Sequence, residues 1–205
     1  MLARALTANN ITVTPGMLDQ LSAYLALLTD WNRVFNLTAI TEPKDMIDLH
    51  IVDSLLVAPY LTGQRLLDVG SGGGLPGLPL AITHPTQAWT LLDKNGKKTR
   101  FLKQVVLELQ LNNVEVVHAR CEDFKAPSFD VITSRAFSSL IDFVAITAHL
   151  LSRKGLWVAL KGQYPAAELA VLKTKIGVHV TVAPIQIDDR DIARHVVLIR
   201  NKQEE

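Results

Sequence analysis

The chain has 205 residues, 48% hydrophobic and 20% charged, a balance that fits one folded domain and excludes a disordered chain. Its formal net charge is only +1, so composition lends no support to a nucleic-acid partner, whose dedicated binding modules are often strongly basic. The single cysteine excludes an intramolecular disulfide and a Cys-rich zinc site. No run approaches ~18 apolar residues, and the start Met-Leu-Ala-Arg-Ala-Leu lacks a long apolar export segment. No membrane association and a cytoplasmic location are therefore expected.

In chain order, residues 15–35 read as an amphipathic helix with Leu18, Leu21, Leu25, Leu28 and Phe35 on one face. A second helix is expected from about Pro43, capped by Thr41, with Met46, Leu49, Val52 and Leu56 on its stripe. These helices form an N-terminal cap over residues 1–62. From residue 63 the pattern alternates. Strands are expected at 66–69, 88–92, 114–117, 130–133 and 156–160, with helices at 76–83, 97–109, 140–151 and 166–175 between and after them. A final pair, 178–187 and 195–200, has no helix between its strands, only the acidic turn 188–191. Residues 63–205 are thus expected to form one α/β unit: a mostly parallel sheet covered on both faces, with a terminal antiparallel hairpin at its edge. That is the pattern of the Rossmann-like class I S-adenosylmethionine-dependent methyltransferases.

The stretch Arg65-Leu-Leu-Asp-Val-Gly-Ser-Gly-Gly-Gly-Leu-Pro-Gly-Leu-Pro79 joins the first strand to its helix. Gly70, Gly72 and Gly74 allow a ligand close to the backbone, the following helix start offers free N–H donors, and Pro76 and Pro79 suit its first turn. Asp68 is expected to steady this turn or a cofactor's methionine portion. Ligands of open parallel sheets sit outside the carboxyl ends of the strands. Asp93, about 20 residues beyond the glycines, is there either a ribose acceptor or the cap of the next helix; its position favours the ribose. Glu122 and Asp123 follow the third strand, where an adenine would lie; each is either a contact there or a solvated loop acid, and the backbone groups of Cys121 and Glu122 are an alternative to the side chains. Cys121 has no adjacent base and reads as a small apolar wall, not a nucleophile. Arg135 follows the fourth strand, beside the place where a methyl group would be delivered. The run Lys94, Lys97, Lys98, Arg100 and Lys103 is either a solvated helix face or a phosphate contact. His50, Asp53 and Ser54 share a helix face but resemble a hydrolase trio only superficially. No His, Cys or Asp cluster has metal-ligand spacing.

Trp31-Asn32 with Asn36-Leu-Thr38, His50-Ile-Val-Asp-Ser54, Asp68-Val-Gly-Ser-Gly-Gly-Gly-Leu-Pro-Gly77, Ser134-Arg-Ala136 and Leu160-Lys-Gly162 together resemble the ribosomal RNA small-subunit methyltransferase G family, also called glucose-inhibited division protein B, over nearly the whole chain. Gly73 stands where relatives commonly have proline. The resemblance implies methyl transfer from S-adenosylmethionine to guanine N7 in 16S ribosomal RNA or the small subunit, by a chain expected to act as a monomer. It implies cofactor contacts at Gly70, Leu75, Cys121, Glu122 and Arg135, with Gly72 in the same loop; Asp93 is added from fold logic. Arg135 and Lys161 are expected to donate to guanine O6 or phosphate, Arg135 being the catalytic candidate, while Asn36, His50, Asp53 and Ser54 shape the acceptor side. Guanine N7 carries a free lone pair, so no general base is required. The Asp/Asn-Pro-Pro-aromatic motif of amino-group methyltransferases is absent. Rival readings are a methyltransferase of small molecules or proteins, an NAD-dependent oxidoreductase, and a non-catalytic nucleotide-binding assembly factor.

Overall fold

The computed structural model describes residues 1–202 except 136, 138 and 189, and only the backbone of 173 and 175. Seven strands form one sheet in the order β3-β2-β1-β4-β5-β7-β6. They are β1 (Arg65–Val69), β2 (Ala88–Asp93), β3 (Val114–His118), β4 (Phe129–Ser134), β5 (Leu151–Lys161), β6 (Val178–Ile185) and β7 (Arg194–Asn201). The first five pair in parallel, and β7 pairs antiparallel with both β5 and β6. The terminal hairpin is therefore as expected, with its second strand inserted between the first and the rest of the sheet.

Alternation of side chains along each strand divides the core. Leu66, Leu91, Val131 and Val158 face one apolar cluster, while their neighbours Leu67, Leu92, Ile132 and Trp157 face the other. The first cluster is covered by α1 (Leu2–Ala8), α2 (Pro15–Phe35), α5 (Gly77–Thr83) and α6 (Gly96–Glu108), and by the segment around residue 50. The second is covered by α7 (Leu140–Thr147) and α8 (Ala166–Lys175). Because both faces are buried, the central strands read as continuous apolar runs, and their bounds were legible to within a few residues. The fifth strand extends further than expected, its first residues being polar or charged at Ser152, Arg153 and Lys154.

The segment after α2 departs from expectation. One short turn, α3 (Pro43–Met46), runs into a π-helical stretch at Ile47–Val52 and then α4 (Asp53–Leu55). Its N-cap is Glu42, without a side-chain cap, so Thr41 does not cap it. A π turn has a wider repeat than 3.6 residues, which rotates the expected stripe. Met46 and Val52 are buried as expected, but Leu49 and Leu56 are only half-buried, and Ile47, Ile51 and Leu55 enter the core with His50, Asp53 and Ser54. The helix α1 carried too few apolar residues to stand out in the sequence; it buries Leu2 and Leu6.

Candidate active site

The carboxyl ends of β1 to β5 lie along one edge of the sheet, and two cavities open there. The first, of about 380 Å³, is lined by Val69, Gly70, Leu92, Asp93, Lys94, Lys98, Ala119, Arg120, Cys121, Glu122, Phe137 and Ile146. The second, of about 230 Å³, is lined by Ile40, Leu49, Asp53, Arg135, Leu160, Lys161, Gly162 and Arg194. Larger clefts border α1 and do not involve the strand ends.

The glycine turn is held from several directions. Gly70, Gly72 and Gly74 have φ of +71°, +57° and +90°, the left-handed region that favours glycine. A Cβ on Gly74 would collide with Leu78, so that position also excludes any side chain by space. Asp93 Oδ2 accepts from the Gly72 N–H at 2.9 Å and Oδ1 from the Asn95 N–H at 2.8 Å. The cap of α6 is Asn95, whose side chain accepts from Lys97 and Lys98, so Asp93 is not the cap. Asp68 Oδ2 accepts from Gly77 N–H at 3.3 Å and Oδ1 from the Thr133 hydroxyl at 3.3 Å. Burial lifts the Asp68 carboxyl to about 6 against the hydrogen bonds from Ser71, Gly77 and Thr133 and the nearby Arg135 charge. It steadies the turn, as expected. Pro76 stands one residue before α5, not inside its first turn, whereas Pro79 is within it.

Across the cavity, Cys121 is buried against Ile146, and burial, with Glu122 beside it, raises its thiol to about 11. A thiol that stays protonated is a wall, not a nucleophile. Glu122 is exposed on the rim. Three of the expected cofactor residues do not line this space. Gly72 spends its N–H on Asp93 within the turn. Leu75 packs into the core, with its N–H on the Ser71 carbonyl at 3.1 Å. Arg135 points into the second cavity.

There Arg135 Nη1 donates to the Leu49 carbonyl at 2.9 Å and lies 3.7 Å from Asp53 Oδ2. Arg194 Nε approaches Asp53 Oδ1 at 3.3 Å. Burial pushes the Asp53 carboxyl up, and the two guanidiniums oppose that shift. Lys161 Nζ is paired to Glu168 at 2.8 Å and donates to the Phe137 carbonyl at 3.3 Å. Arg194 escaped the sequence reading. An antiparallel strand enters the sheet where its parallel neighbours leave it, so the first residue of β7 lands beside the last residues of β5. The expected hairpin already carried that signal.

Asn36, His50 and Ser54 lie outside both cavity linings. Asn36 closes α2 in a left-handed conformation and is exposed. Thr38 ties the following loop inward: its N–H donates to Asn32 Oδ1 at 2.8 Å and its hydroxyl meets His50 Nε2 at 2.9 Å. Ser54 Oγ donates to the His50 carbonyl, not its ring, so no hydrolase trio exists. His50 and Ser54 lie in the buried helical segment that carries Asp53, whereas Asn36 does not. Another clamp was unforeseen: buried Tyr24 of α2 donates its hydroxyl to the Gly73 carbonyl at 2.7 Å. Among the described residues no cluster suits a metal ion.

Burial and then the Arg135 charge lower His50 from 6.5 to about 4. The unfolded chain therefore binds this proton first as pH falls, and the stability attached to neutral His50 is present above pH 6.5 and lost towards pH 4. Subtracting the urea-unfolding free energy of His50→Gln from that of the native chain isolates this group. The difference is expected to shrink by about 2 kcal/mol between pH 7 and 5. A constant difference would mean that His50 titrates normally.

A family model described as rRNA small subunit methyltransferase G matches residues 17–196. The chain belongs to this family. Among family members, the ribosomal RNA small subunit methyltransferase G of Laribacter hongkongensis is 53% identical over 175 residues, 85% of this chain and 84% of that protein. The Pseudomonas aeruginosa (strain LESB58) protein of the same name is 48% identical over 201 residues, 97% and 94% of the two chains. The fold is that of class I methyltransferases. The O-methyltransferase TomG of Streptomyces achromogenes, solved with SAM, superposes with a TM-score of 0.63 at 14% identity, covering 98% of this chain and 96% of that one. A SAM-dependent methyltransferase from Aquifex aeolicus gives 0.61 at 14% identity, covering 77% and 93%. No helix among the described residues is long and apolar enough to cross a membrane.

Proposed function

We propose that this chain transfers the methyl group of S-adenosylmethionine to N7 of a guanine in 16S ribosomal RNA, acting as a monomeric cytoplasmic enzyme on the RNA or the small subunit. The observation that carries the reading is the shared wall of the two cavities. Arg135 opens into one and Phe137 into the other. Ser134, just before them, donates to the Val69 carbonyl at 2.8 Å, which ties that wall to the glycine turn.

The first cavity fits S-adenosylmethionine. Each Asp93 oxygen accepts one backbone N–H and retains a lone pair for a ribose hydroxyl. Gly70 leaves space beside the backbone for the methionine portion, with Gly72, held by Asp93, and the Leu75 backbone shaping the turn behind it. Cys121 and Ile146 offer an apolar slot for the adenine, with Glu122 at its edge. Bound there, the cofactor supplies an electrophilic methyl group.

The acceptor side needs no proton-taking group, because guanine N7 is an unprotonated acceptor with O6 beside it. The one buried carboxylate in that cavity, Asp53, is engaged by two arginines and is not free to act as a base. Arg135 and Lys161 are the donors for O6 or an adjacent phosphate, His50 and Ser54 hold the wall behind Asp53, and exposed Asn36 meets the RNA outside the cavity. Such a site works by alignment, which can contribute up to roughly 7–11 kcal/mol.

Incubation with methyl-labelled S-adenosylmethionine and either small subunits or naked 16S RNA tests this reading. Label on N7 of one guanine is expected. Label only on small molecules or protein would overturn the RNA assignment.

A further inference from the structure

Among the described residues, Tyr164 is the one aromatic in the set of strongly exposed large apolar side chains, at 57%. It lies between β5 and α8, two residues beyond Gly162 of the acceptor cavity. Its ring meets the His195 ring edge to face, with centroids 5.6 Å apart and planes at 79°. His195 is itself fixed. It pairs with Lys161 across the β5–β7 ladder, and its Nδ1 lies 3.1 Å from the Gly162 carbonyl. The Ala166 N–H donates to the Tyr164 carbonyl at 3.0 Å and holds the turn. An edge contact covers at most one face of the phenol ring, so a flat apolar face is held open at the cavity rim.

Charge explains why such a face matters. The cations around the cavity, Arg135, Arg194 and Lys161, share the carboxylates Asp53 and Glu168. Three positive groups against two negative ones leave about one net charge to meet a polyanion, in a chain whose total is +1. Phosphate attraction is correspondingly weak. Single-stranded RNA offers another source of affinity, since unstacked bases lie on aromatic faces.

We propose that Tyr164, braced by His195, is a stacking platform for an unpaired RNA base adjoining the methylated guanine. The proposal rests on the RNA reading above. The bracing matters because a ring already held in place loses little freedom when a base lies on it.

The test uses the full chain, small subunits or 16S RNA as whichever acceptor takes label, and saturating S-adenosylmethionine. Tyr164→Ala is expected to raise KM for RNA about tenfold, more than it changes kcat, with cofactor affinity unaltered. Tyr164→Phe and Tyr164→Trp keep the ring face and should stay within about twofold of the native KM, because stacking does not use the hydroxyl. In Tyr164→Trp, the added indole fluorescence should be quenched when RNA binds. A native KM in Tyr164→Ala, an equal loss in Tyr164→Phe, or an unquenched indole would each overturn the platform. A native chain that labels no RNA at all would instead overturn the function on which the platform rests.

Discussion

Alanine in place of Asp93 is expected to weaken S-adenosylmethionine binding by roughly two to three orders of magnitude, since two hydrogen bonds to a charged acceptor contribute about 3–4 kcal/mol. The carboxylate stands at the end of β2 and is almost wholly buried. Its two oxygens already hold the Gly72 and Asn95 N–H groups. The loss can therefore come from the ribose or from a loosened glycine turn. A cofactor analogue without ribose hydroxyls separates the two. If Asp93 binds the ribose, the native chain discriminates against the analogue and Asp93→Ala does not, so the two changes fail to add. Full additivity, measured by calorimetry with both ligands, would assign Asp93 to the turn alone. Asp93→Asn retains one acceptor oxygen and should fall between the two.

The sheet was legible because its strands are buried on both faces and separated by amphipathic helices, so the apolar runs around Leu66, Leu91 and Val131 announced themselves. The first cavity was legible for a related reason: the topology carries Gly70, Asp93 and Cys121 to one edge whatever their side chains do. The second cavity was less so. A π-helical stretch turned His50 and Ser54 into the core while leaving Asp53 at the cavity wall, and no helical periodicity anticipates that rotation. The partner choices were also hidden. Lys161 meets Glu168 seven residues on, across the turn into α8. Arg135 meets Asp53 from just beyond β4, far along the chain. Tyr24 was counted with no stripe, yet its buried hydroxyl joins α2 to the glycine turn at Gly73. Sequence spacing shows which residues reach an edge. It does not show which charges neutralise one another there.

That distinction bears directly on Arg135. Arg135→Ala is expected to lower turnover about 10²–10³-fold, the usual effect of removing one aligned donor from a water-poor site. Cofactor affinity should be unchanged, because Arg135 opens into the second cavity and not the first. Its guanidinium is fixed by the Leu49 carbonyl and Asp53. Arg135→Lys should recover only part of the rate, since an ammonium cannot copy the planar fork that meets a carbonyl and a base together. A purely structural explanation also has to be met: without Arg135, buried Asp53 keeps Arg194 alone as a counter-charge among the described residues, and the wall could rearrange. The double change Arg135→Ala with Asp53→Asn removes the unbalanced carboxylate along with its partner. If Arg135 donates to the guanine, the double variant remains slow. If it regains native turnover under saturating cofactor and RNA, Arg135 serves only to neutralise Asp53, and its assignment as the donor to guanine O6 falls.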